Sequence, residues 1–197
     1  MKHFLACVIL LVAWANPAWA DSFYCLLFAY DSKPVPMPCK SHVWGSFVRL
    51  DDQDRLKEVV TISWEPDKRS YLNRSRPGYN ATLHETLDHG VKNNRTIRMF
   101  GPFETDEEFF NKAKVLHCDQ GRYRFLDACT RKTAMNCIHR LSDLAGPHKT
   151  GIYWGWWAAD SVCKHFRRQG VIRETPNRSK VFSLLKLDAY RIVTIGK

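Results

Sequence analysis

The sequence has no C-x-x-C pair among its seven cysteines and no H-E-x-x-H motif, so a zinc ribbon, a thioredoxin-type redox site and a zincin-type protease all lack support. His84-Glu85-Thr86 begins like the last of these, but the next histidine, His89, comes five residues after His84 instead of four. Past the first twenty residues no apolar run approaches the ~20 residues that a membrane-spanning helix needs. Internal repeats, low-complexity tracts and linkers are missing as well, which leaves one domain. Acidic residues are scarce, 20 Asp and Glu against 30 Lys and Arg, for a net charge of +10. No recognisable nucleic-acid module accompanies that charge, so nucleic acid is not indicated as the partner. No pattern implies a cofactor or a metal.

What is present begins at the N-terminus. Lys2 precedes an apolar run from Phe4 to Trp14, and Ala18-Trp19-Ala20 closes it with the A-x-A pattern of a cleavage site. We therefore expect residues 1–20 to be a signal peptide and 21–197 a secreted or periplasmic domain. Cys7 lies inside the apolar run, not just after it, which argues against a lipid anchor. Cleavage would leave six cysteines (Cys25, Cys39, Cys118, Cys129, Cys137 and Cys163), and export makes disulfides their expected fate. It would also leave a basic domain, for which an anionic envelope polymer or a peptide substrate is the expected partner. Charge that serves solubility alone is the alternative. N-x-[ST] sequons stand at Asn73, Asn80, Asn94 and Asn177.

Along the chain, residues 23–30 read as a buried strand, followed by a proline-rich turn and a second strand over 41–50. A hairpin centred near Pro34 would set Cys25 opposite Cys39, our preferred disulfide. Strand 59–65 alternates, with Val60, Ile62 and Trp64 on one face and Thr61, Ser63 and Glu65 on the other. Residues 66–80 read as an Arg-rich loop, and 96–103 as a strand. Thr105 and Glu108 fit a capping box opening a helix that ends near Cys118. A strand over 122–128, helices over 137–145 and 156–169, and strand-like runs in the tail over 181–195 complete a single α+β domain. Its antiparallel sheet is packed by a few helices.

Asn136-Cys137-Ile138-His139 carries the functional argument. Asn is a good N-cap, which sets Cys137 in a helix's first turn, where unpaired peptide N–H groups favour a thiolate. The same groups can hold an oxyanion, and a nearby histidine would act as general base. With His42 on the strand Ser41-His42-Val43-Trp44-Gly45 upstream, this motif resembles circularly permuted papain-like enzymes related to NlpC/P60 peptidases and lecithin:retinol acyltransferase. The resemblance covers about residues 39–144. It implies a permuted papain-like fold and a thiol hydrolase or acyltransferase cleaving an amide or ester. Cys137 would be its nucleophile and His42 its base. A Tyr-Gly pair after the first histidine, part of the acyltransferase pattern, is not found here.

His84 is the preferred residue to orient His42, because acid and hydroxyl neighbours flank it; Glu65 or Ser63, across a hairpin through Asp51–Asp54, are the others. Cys137 as half of a disulfide and His42 as an ordinary strand histidine remain open readings. His139, two residues after Cys137, points elsewhere and reads as structural. The run from Tyr153 to Trp157 reads as core before it reads as a sugar or lipid cleft. The non-catalytic alternative is a disulfide-braced basic domain that binds an anionic polymer, with Lys68, Arg69, Tyr71, Arg74 and Arg76 as its contact.

Overall fold

The computed structural model describes residues 20–31, 41–67, 75–124, 134–148 and 155–195. The leader up to Trp19, Cys39, Cys129, Tyr153, Trp154 and most of the basic loop after Asp67 lie outside these ranges.

The organising element is β1 (Ser22–Asp31), apolar on both faces. Phe23, Cys25, Leu27 and Ala29 enter one core, and Tyr24, Leu26, Phe28 and Tyr30 enter a second on the opposite face. A strand apolar on both sides must be central and covered twice. It pairs antiparallel with β2 (His42–Leu50) on one side and with β6 (Thr96–Thr105) on the other. β3 (Leu56–Ile62) extends the sheet antiparallel beyond β2. Beyond β6, β8 (Arg173–Glu174) pairs antiparallel with one end and β9 (Ile192–Ile195) parallel with the other. A small second sheet is formed by β4 (Trp64–Pro66), β5 (Arg76–Asn80) and β7 (Arg122–Tyr123) in that order.

Five helices cover the sheet among the described residues. α1 (Leu83–Lys92) and α5 (Arg178–Leu184) bury Leu83, Leu87 and Val181 in the core containing Tyr30 and Trp44. α2 (Glu107–Cys118), α3 (Cys137–Ser142) and α4 (Gly155–Arg168) bury Phe109, Ile138, Leu141, Val162 and Phe166 in the other. The chain is thus a single α+β domain with a largely antiparallel sheet, and no described helix is long and apolar enough to cross a membrane.

Several expectations need correction. The hairpin pairs Tyr30 with His42, so Phe47, not Cys39, faces Cys25. Cys25 is a thiol buried in the core, and no disulfide joins two described cysteines. The N-cap expected at Thr105 lies one residue later, and no capping box with Glu108 forms there. Thr105 ends β6 and donates to the Val171 carbonyl, while Asp106 caps α2 by accepting from the Phe109 N–H at 2.7 Å. A true capping box opens α1, where Thr82 and Glu85 bond each other's peptide N–H, in a stretch not expected to be helical. The supposed loop contains β5, and the tail forms a helix before its one strand. Val181 and Leu185, four residues apart, share a helical face on the far core.

Candidate functional site

α3 begins where Asn136 leaves the helical conformation, at φ −86° and ψ 174°. Its side-chain oxygen accepts from the His139 N–H at 2.8 Å, and its carbonyl accepts from Arg140 N at 3.0 Å. This is the N-cap that the motif implied, and it sets Cys137 as the first helical residue, 7% exposed. A small pocket lies over the cysteine, walled by Ser41, His42, Val43, Tyr123, Asn136, Cys137, Ile138 and Gly155. Residues far apart in the chain thus converge at one point: the start of β2 and the start of α3.

His42 is held by polar groups from the neighbouring chain. Its Nε2 lies 2.9 Å from Ser63 Oγ and 3.4 Å from Glu65 Oε1. A carboxylate only accepts, so this arrangement assigns the proton to Nε2 and leaves Nδ1 as the basic nitrogen. Ser63 Oγ also accepts from Thr86 Oγ1 at 2.8 Å, which ties the triplet to α1. Burial, reinforced by the neighbouring His89, drives the His42 pKa down from 6.5 to about 3. The Glu65 carboxylate pulls the other way.

Strand alternation sets a constraint on how the two residues can meet. The His42 ring stacks on Trp44, centroids 5.6 Å apart and 15° between planes, and leans against Tyr30 at 5.6 Å. Both aromatics belong to the core beneath α1, whereas Cys137 belongs to the core beneath α2, α3 and α4. The imidazole and the sulfur therefore lie on opposite faces of β2. Their residues meet only at the strand's first positions, where both wall the pocket.

His84 does not take part in holding His42. It is exposed on α1, its ring stacks on Tyr190, and its Nδ1 lies 3.2 Å from the Tyr190 hydroxyl. The neighbours that drew attention to it have other work: Glu85 closes the capping box and Thr86 faces inward to Ser63. The contacts on His42 come instead from Ser63 and Glu65, the pair on the polar face of the third strand run. The T-x-x-E spacing from Thr82 to Glu85 was the signal that would have separated a helix start from a site.

Sequence reasoning did not single out Asp31, which ends β1 close to the pocket wall. It is 7% exposed, and burial raises its pKa against the opposing pull of Arg98 and the Trp156 N–H. Its carboxylate occupies the space a side chain would take at Gly155, where an ideal Cβ would lie 1.8 Å from Oδ1. Gly155 also has φ +55°, so glycine is required there twice over. His139 is buried in α3, its peptide N–H taken by Asn136.

No protein-family model, curated protein or solved structure matches this chain.

Proposed function

We propose that the protein is a secreted or periplasmic thiol hydrolase or acyltransferase of permuted papain-like fold, acting on an amide or ester bond, with Cys137 as nucleophile. The observation that carries this reading is the convergence of Cys137 and His42 on one pocket. In the reaction the Cys137 sulfur attacks the carbonyl carbon while its proton passes to His42 Nδ1. The tetrahedral oxyanion collapses to a thioester as His42 returns the proton to the leaving amine or alcohol. Water, or an acceptor alcohol or amine, then releases the acyl group. Ser63 and Glu65 orient the imidazole through Nε2. The developing oxyanion would be held at the start of α3 by peptide N–H groups other than that of His139, which the Asn136 cap already takes. Because the imidazole packs on the far face of β2, the mechanism requires its Nδ1 edge to reach the sulfur around the strand's first residue. Compartment and charge favour an envelope peptide as substrate.

A second reading, a non-catalytic basic domain that binds an anionic envelope polymer, is favoured by the same stacking of His42, which makes it a well-satisfied core residue. One experiment separates the two. The full chain is treated with iodoacetamide across pH 5–9, and carbamidomethylation of Cys137 is followed by mass spectrometry in the wild type and in His42→Gln. The enzyme reading expects Cys137 to be alkylated in the folded protein, with a pH midpoint that moves in the variant. A Cys137 that is inert when folded, or found in a disulfide, removes the enzyme reading.

A further inference from the structure

We infer that Trp64 and Arg140 act together as positioning residues that lock the Cys137 helix to the segment holding His42; this rests on the proposed thiol chemistry. Trp64 stands between Ser63 and Glu65, the two residues in contact with His42 Nε2. Alternation sends its indole to the opposite face, into the core that contains Cys137. There its Nε1–H donates to the Met135 carbonyl at 3.0 Å, two residues before Cys137. The guanidinium of Arg140, three residues after Cys137, lies over the same ring at 4.4 Å. One side chain therefore grips the chain on both sides of the nucleophile, just before α3 and within it, while its chain neighbours hold the base.

Neither partner has room to move. Arg140 is 4% exposed, and its Nη2 donates to the Leu116 carbonyl at 3.1 Å and to the Asp119 carbonyl at 2.8 Å. The same nitrogen pairs with Asp119 Oδ2 at 2.8 Å. The indole packs flat on Gly78, where a Cβ would come within 2.3 Å of the ring. A planar guanidinium can stack and bond in this way at once; a lysine ammonium cannot.

The test follows Cys137 alkylation by iodoacetamide against pH in Arg140→Lys, Trp64→Phe and Asp119→Ala, with fold checked by circular dichroism and urea titration. His42→Gln serves as reference. We expect the pH midpoint of Cys137 alkylation to shift in Arg140→Lys and Trp64→Phe toward that of His42→Gln, because a displaced α3 loses the surroundings that favour the thiolate. Asp119→Ala, altered at a half-exposed side chain, loosens Arg140 without opening the core. It should show a smaller shift in the same direction, and it decides the matter if the core variants do not fold. Folded variants that keep the wild-type midpoint, while His42→Gln changes it, overturn this inference and leave the proposed function standing. A wild-type Cys137 indifferent to His42→Gln removes both.

Discussion

Replacing His42 with Gln should flatten the acid limb of the protein's stability curve. In the folded protein burial and His89 hold the imidazole pKa down to about 3, against 6.5 for an unhindered histidine. Above pH 6.5 neither the folded nor the unfolded chain protonates the ring, and the group adds no pH dependence. Between pH 6.5 and 3 the unfolded chain binds a proton that the folded chain does not. Stability therefore falls as the pH falls, by about 1.4 kcal/mol per pH unit. From pH 7 to 4.5 the loss attributable to this one group is roughly 2–3 kcal/mol, the lower end applying if Glu65 at 3.4 Å partly stabilises the charged ring. Urea unfolding at both pH values, in the wild type and in His42→Gln, measures it. Glutamine can still reach Ser63 but does not titrate, and contributions from other groups cancel in the comparison. With slopes of about 1–3 kcal/mol per molar urea, the expected difference in midpoint shift is on the order of 1 M. Equal losses in the two proteins would refute the assignment of a neutral, buried imidazole.

Gly155→Ala should destabilise by more than the ~1–2 kcal/mol of a left-handed backbone alone, because its Cβ would meet the Asp31 carboxylate. Urea titration of Gly155→Ala in the Asp31→Ala background should show a smaller loss, and additive losses would mean the two do not collide. In a host that N-glycosylates exported proteins, glycopeptide mapping should find sugar on exposed Asn94. It should find none on Asn80, whose amide nitrogen donates to the His117 carbonyl at 3.0 Å and whose oxygen is buried; occupancy at Asn80 would contradict that packing.

Much of the fold was legible because local patterns were strong. An uninterrupted apolar stretch from Phe23 to Tyr30, short and rich in aromatics, reads as a buried strand, and β1 is one, covered on both faces. The alternation of Val60, Ile62 and Trp64 against Thr61, Ser63 and Glu65 correctly divided core from polar partners. Where two patterns competed, the reading faltered. Thr105 and Asp106 both suit an N-cap, and the choice depended on how far β6 ran beside β1, with Thr105 still paired to Phe23. The apolar run from Val181 looked like strand, but Val181 and Leu185 faced a core that only the completed sheet supplies.

The candidate site divides in the same way. Asn136 as cap and Cys137 as first helical residue were determined by the sequence alone, because a cap is made within four consecutive residues. The meeting of Cys137 with His42 depended on where α3 docks against β2, and the choice of Ser63 and Glu65 over His84 depended on which way α1 faces. The hairpin register expected to set Cys25 opposite Cys39 failed for a related reason. Hairpin register follows from turn length and side-chain packing, and it placed Phe47 opposite Cys25. Sequence spacing specifies what bonds its own neighbours; only the packed sheet decides which distant side chains share a pocket and which face of a strand each of them occupies.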